Sequence, residues 1–125
     1  MIMHGELRPN WPWVKEGIEN IRRRNKAAWL AEDLYAEIRA GMATLYINEE
    51  ANSFAIVRPT RDPYTGAHGA ELLAVYLEEE RGPLEEEFFT YLSNAGAEFL
   101  QMDSKRIGFS KIGWDIEKII YRRRI

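Results

Sequence analysis

Residues 70–77 read Ala-Glu-Leu-Leu-Ala-Val-Tyr-Leu, apolar on both faces over the length of a single strand. A strand of that pattern must be covered on two sides, which is the situation of a central strand between layers of helix. The next twenty-five residues narrow the choice further. Pro83 stands at a favoured first-turn position, Glu85, Glu86 and Glu87 lie near the positive end of a helix, and Leu84, Phe88 and Leu92 recur at four-residue spacing. Gly96 ends that helix, and Glu98 to Met102 reads as a short strand. Strand, helix and strand in this order specify a right-handed crossover with a parallel pair.

The remainder of the chain supplies the other layer and the other strands. Asn10 can cap a helix whose second position is Pro12, with Trp11, Val14, Ile18 and Ile21 at three- and four-residue steps. Ala27 to Ala40 predicts a second helix that turns Leu30, Leu34 and Ile38 inward and meets Gly41 at its C-terminal end. The basic run Arg22-Arg23-Arg24 falls where the first helix ends, and positive charge there complements the carbonyl end of the helix dipole. From Met42 the period becomes two, with Ala43, Leu45 and Ile47 on one face and Thr44 and Tyr46 on the other. A polar turn at residues 48–52 and a strand from Ser53 to Arg58 complete an antiparallel hairpin. Asp62 to Gly69 is a loop by its Pro and Gly content, and a turn or short helix is expected around residues 106–112. Asp115 to Ile125 is expected to end the chain as a strand with Ile116, Ile119, Ile120 and Tyr121 partly buried. The class is mixed α/β, with a mostly antiparallel sheet of at least three strands and flanking helices. A chain of 125 residues has room for one such domain, residues 1–125.

Composition removes several kinds of function. Hydrophobic residues at 46% and charged residues at 30% place the chain among folded proteins. A net charge of −3 argues against a protein that works mainly by neutralising phosphates, so nucleic acid is not an expected partner. The absence of Cys excludes disulfides, thiolate metal sites and cysteine nucleophiles, and two His, His4 and His68, are too few for a structural zinc site. Residues 78–80 and 85–87 are all Glu but lack the glycines and Asp/Asn spacing of a calcium loop, so they read as helix-dipole compensation and solubility, with no metal expected. Ser53, Ser93, Ser104 and Ser110 carry no nucleophile signature. Trp11, Trp13, Trp29 and Trp114 read as core or interface anchors. No apolar run approaches the roughly 18 residues of a membrane span, and no membrane partner is expected.

The order helix, helix, hairpin, long strand, crossover helix, strand, short helix, Gly-aromatic and terminal strand resembles the GCN5-related N-acetyltransferase (GNAT) fold. The similarity extends over roughly the whole chain and is best in residues 72–102 and 108–114 (GFSKIGW). A narrower resemblance is to small GNAT-like proteins of tailed bacteriophages and prophages. It is carried by Ser104-Lys-Arg106-Ile-Gly108-Phe109-Ser-Lys111-Ile-Gly113-Trp114, then by Tyr121-Arg122-Arg123.

These resemblances carry implications for individual residues. In active members a Gln/Arg-x-x-Gly-x-Gly/Ala loop at the start of the crossover helix binds the pyrophosphate of acetyl-CoA through free backbone N–H groups. The matching stretch is Arg81-Gly82-Pro83-Leu84-Glu85-Glu86. Arg81 and Gly82 fit, Leu84 and Glu86 replace two small residues, and Pro83 removes a donor. By this resemblance the CoA contacts fall at Leu77, Arg81, Gly82 and Leu84, and the general base is Glu78. Phe109 stands where the family places a tyrosine acid. The implied function is a GNAT-like phage or prophage protein with weak or lost acetyltransferase activity, located in the cytoplasm of a bacterial host or incorporated in a virion. The alternative is a non-catalytic phage structural or assembly accessory protein. The opposition of acidic residues 78–87 to basic ends at Arg22 and Arg122 suits self-association or docking on phage structural proteins.

Overall fold

The computed structural model describes residues 2–25, 29–77, 83–103, 114–115, 117 and 120–124. Its elements are β1 (Met3–His4), α1 (Leu7–Asn25), α2 (Ala31–Arg39), β2 (Thr44–Asn48), β3 (Ser53–Arg61), β4 (His68–Tyr76), α3 (Pro83–Asn94) and β5 (Phe99–Gln101), with a 3-10 turn at Glu49–Ala51. They form a five-stranded sheet in the order β1-β2-β3-β4-β5. Neighbours are antiparallel except β4 and β5, which are parallel and joined through α3. This is the mixed sheet with a crossover that the apolar run at 70–77 requires.

One face of the sheet is covered by α1 and α2. Val14, Ile18, Ala31 and Leu34 pack there against Leu45, Ile47, Phe54, Ile56 and Ala74. The approach is close at Gly17, where a Cβ would stand 2.5 Å from the Phe54 ring. The other face is covered by α3, whose Phe88 and Leu92 pack on Ala55, Val57, Ala70 and Leu72 together with Ile2. The alternation of residues 43–47 between the two sides follows from the strand period.

The helix ends show why α2 and α3 stop where they do. At the end of α2, Gly41 adopts a φ of 78°. Its N–H donates to the Ile38 carbonyl at 3.1 Å, and that of Met42 donates to Glu37 at 2.9 Å. This is the Schellman arrangement that a C-terminal glycine permits. α3 repeats it: Gly96 has a φ of 109°, and the Ala97 N–H reaches the Leu92 carbonyl at 3.1 Å. At the start of α2 the Asp33 carboxylate accepts the Leu30 N–H at 2.8 Å, satisfying the chain just ahead of the first turn.

Several expectations need correction. Helix α1 begins at Leu7, so Asn10 lies inside it. The Asn10 side chain donates to the Glu6 carbonyl at 2.8 Å and accepts the Trp13 indole N–H at 3.0 Å. Pro9 falls in the first turn, where no helical N–H partner is needed. α2 begins at Ala31, and Leu30, expected inside, is 47% exposed because it is the residue before the helix. β3 runs on past Arg58 to Arg61, and β4 starts at His68 within the expected loop. β2 reaches only as far as Val57, so Pro59 lies where β3 has a free edge among the described residues and can be tolerated. β1, expected to be irregular, is a short edge strand. Finally, the described residues after Trp114 are not a strand, and Ile120 and Tyr121 are 71% and 87% exposed. The order Ile119-Ile120-Tyr121-Arg122-Arg123-Arg124 does not alternate, so no register would bury the apolar side chains and leave the charges out. Residues 106–112 and the side chains of Ile116 and Ile119 lie outside the described residues.

Candidate functional site

The crossover places one end of the sheet apart from the rest. β5 pairs with β4 only at Gly69, Ala70 and Glu71. Just beyond, the pairing with β3 slips: Val57 faces Leu72 and Ile56 faces Ala74, so Leu73 is an extra residue bulged out of register. A bulge bends its strand and raises the local twist. It also reassigns the faces. Ala70 and Leu72 point to α3, Leu73, Ala74 and Tyr76 to α1 and α2, and Val75 and Leu77 to α3 again. Among the described residues, the β4 edge from Leu72 to Tyr76 has no strand beside it on the β5 side. The carboxyl ends of parallel strands are where open α/β sheets bind ligands, and this parted edge lies there.

An ion-paired cluster holds the point of parting. Arg58 on β3 reaches Glu71 on β4 at 2.8 Å and Glu37 on α2 at 2.9 Å. Partial burial works against its charge, but the two carboxylates prevail and raise the Arg58 pKa above its ordinary value. Next to it, the Phe99 ring of β5 covers Gly69, where a Cβ would stand 2.3 Å from the ring. β4 is therefore fixed by side chains up to Glu71 and parts from β5 immediately after.

The residues expected from sequence to form the site fall around this edge. Leu77 comes directly after β4, half-buried on the α3 side. Leu84 is the second residue of α3. Glu78, Arg81 and Gly82, between them, lie outside the described residues, as does Phe109. The structure thus puts Leu77 just after β4 and Leu84 at the start of α3. α3 opens with Pro83 and carries Glu86 and Glu87 exposed near its N-terminal end. The Glu87 carboxylate accepts a long hydrogen bond, 3.4 Å, from the amide of the buried Asn48.

A second feature on α3 was not expected from the sequence. An open groove of about 530 Å³ is lined by Ile2, Glu86, Glu87, Thr90, Tyr91 and Asn94. Its aromatic wall continues inward: Tyr91 stands edge-on to Tyr46 with centroids 5.3 Å apart, and Tyr46 meets His4 at 4.9 Å. Burial, reinforced by the neighbouring Tyr91, raises the Tyr46 pKa, so that hydroxyl keeps its proton. Two signals could have found the groove: Tyr46 alternates to the α3 side of β2, and Glu87 and Tyr91 are four residues apart on one helix face. Nothing in the sequence marks Ile2.

Among the described residues no group of three His, Cys, Asp or Glu could hold a metal ion, and no helix is long and apolar enough to cross a membrane.

Comparison with known proteins supports the fold. No protein-family model matches the chain, and no curated protein matches it. Solved structures do. A ribosomal-protein-alanine N-acetyltransferase from Brucella melitensis biovar Abortus 2308 is similar with a TM-score of 0.67 at 14% identity, covering 100% of this chain and 98% of that one. A protein described as a possible acetyltransferase from Clostridium difficile 630 gives 0.70 at 9% identity, covering 100% and 97%. A GNAT family acetyltransferase of Staphylococcus aureus gives 0.65 at 10% identity, covering 100% and 98%. The chain has the fold of GNAT acetyltransferases.

Proposed function

We propose that this chain is a GNAT-like phage or prophage protein, related to acyl-CoA N-acyltransferases, whose acetyltransferase activity is weak or lost. The fold of its structural neighbours supports the relation to acetyl-CoA chemistry. The parted β4 edge suits part of such a ligand: an extended, amide-bearing arm can lie along it and bond to free backbone groups as an added strand would. Leu77 would end that slot. The phosphate end fits poorly, and this observation carries the reading. Arg81, Gly82 and Leu84 stand in sequence where a pyrophosphate would be held, but the helix that should receive it begins with Pro83 and continues into three Glu. Proline supplies no N–H, and the carboxylates oppose a dianion at the helix end that ordinarily favours one.

If transfer persists, Glu78 is the group to take the amine proton as the acyl carbon–nitrogen bond forms and the carbon–sulfur bond breaks. Phe109 cannot return a proton to the departing thiolate. Isothermal titration of acetyl-CoA and free CoA, with a thermal-shift control, tests the reading. We expect dissociation constants weaker than about 100 μM, the equivalent of roughly −5.5 kcal/mol. Tighter binding would show a working cofactor site and overturn it.

A second reading, a non-catalytic phage structural or assembly accessory protein acting through protein partners, is favoured by the exposed Tyr-Arg segment at 121–124. The terminal pattern from Ser104 to Trp114 and Tyr121 to Arg123 supports the phage origin in both readings.

A further inference from the structure

The groove on α3 and the segment at residues 120–124 are complementary in chemistry. The groove has an apolar floor and wall in Ile2 and Tyr91 and an acidic rim in Glu86 and Glu87, both exposed. The segment carries exposed Ile120 and Tyr121 and then exposed Arg122, Arg123 and Arg124. None of the ion pairs among the described residues uses these arginines. An adjacent exposed aliphatic and aromatic pair beside three exposed cations combines the residue types that an apolar, acid-rimmed groove would take. Arginine suits the partner role, because its guanidinium can pair with carboxylates and stack on an aromatic ring.

We propose that residues 120–124 of one copy dock in the Ile2, Glu86, Glu87 and Tyr91 groove of a second copy, Ile120 and Tyr121 on the apolar floor and the arginines on the acidic rim. Trp114 packs edge-on against Phe89 of α3 with centroids 5.8 Å apart. The six residues from there to Ile120 span at most roughly 20 Å, enough to leave the parent surface and reach a neighbour. Each copy carries one groove and one segment, so two reciprocal contacts close a two-fold dimer. Such a dimer does not depend on CoA binding.

The test is sedimentation of the full chain, with charge-reversed variants. The wild type is expected to dimerise at low salt and to weaken about tenfold or more as screening shortens the range of its charges. Glu86→Lys with Glu87→Lys in one variant, and Arg122→Glu, Arg123→Glu and Arg124→Glu in another, should each leave a monomer. Circular dichroism checks that both variants are folded. Mixing the two variants should restore a dimer, because each reversed groove then meets a reversed segment while the native pair remains. A wild type that stays monomeric at 100 μM, about the upper range of ordinary association assays, would overturn the proposal. So would a dimer indifferent to both reversals. A mixture that stays monomeric would also overturn it, because the reversed groove and the reversed segment would then not meet between copies.

Discussion

The two faces of the sheet are closed in different ways. On the α1 and α2 side, Phe54 is fully buried between the Trp13 ring at 5.9 Å and the Tyr76 ring at 5.6 Å, and Val14, Ile18 and Ile56 are equally shut off. On the α3 side, among the described residues, one helix covers the strands, Phe88 and Leu92 close the centre, and an open groove is lined by the helix and Ile2. The same side holds the parted β4 edge and the crossover. Among the described residues the most deeply buried side chains lie where two helices cover the sheet, and the open groove lies on the side of α3.

This contrast can be broken by substitution. Phe54→Ala should destabilise by about 3–5 kcal/mol, and Phe88→Ala by about 2–3 kcal/mol because the thinner layer can relax into the space. Chemical denaturation measures both, and equal losses would erase the distinction between the faces. Gly17→Ala should come next, at about 1–3 kcal/mol, because its Cβ would stand 2.5 Å from the Phe54 ring. Alanine usually favours a helix over glycine, so a stabilised variant would show that α1 can move off the sheet. Arg58→Met should cost about 1 kcal/mol, since its pairs with Glu37 and Glu71 are partly solvent-exposed. Added salt should narrow that gap to wild type, and a salt-independent loss would assign the effect to packing.

The smallest expected effect is at the β3–β4 turn. There Asp62 accepts the N–H groups of Thr65 at 3.0 Å and Tyr64 at 2.8 Å. These bonds lower its pKa below the ordinary value of 3.8. A depressed carboxylate contributes above its unfolded pKa and loses that contribution as pH falls through the folded one. Acidification below that ordinary value should therefore speed amide exchange at Tyr64 and Thr65 while the global unfolding midpoint stays with that of Asp62→Ala. Exchange that ignores pH after correction for intrinsic rates would remove the carboxylate from the turn.

Much of the fold was legible where the cause is local. Gly41 and Gly96 end their helices because the left-handed conformation suits glycine, and that requirement is visible in the sequence. The hairpin was legible through the period of two at 43–47, and the crossover through the apolar run that leads into Pro83. Non-local causes left no such mark. Residues 72–77 are apolar except for the tyrosine hydroxyl, so the slip at Leu73 changes which face each residue joins without changing the pattern. β1 is two residues long and exists only because β2 pairs with it. The terminal segment shows the opposite failure: Ile120 and Tyr121 have strand character, but no strand pairs with them among the described residues. For the site, the sequence located the crossover, and the groove beside it required three dimensions.

On the proposed function, the parted β4 edge accepts the arm of an acyl-CoA while the start of α3 does not hold its phosphates. The direct measurement is a titration of S-acetyl-pantetheine, which lacks the nucleotide phosphates, beside acetyl-CoA under the same conditions. The account predicts that acetyl-CoA binds no more than about threefold tighter, a difference below about 1 kcal/mol. Acetyl-CoA binding about a hundredfold tighter, near 2.7 kcal/mol, would show a functioning phosphate site and contradict it.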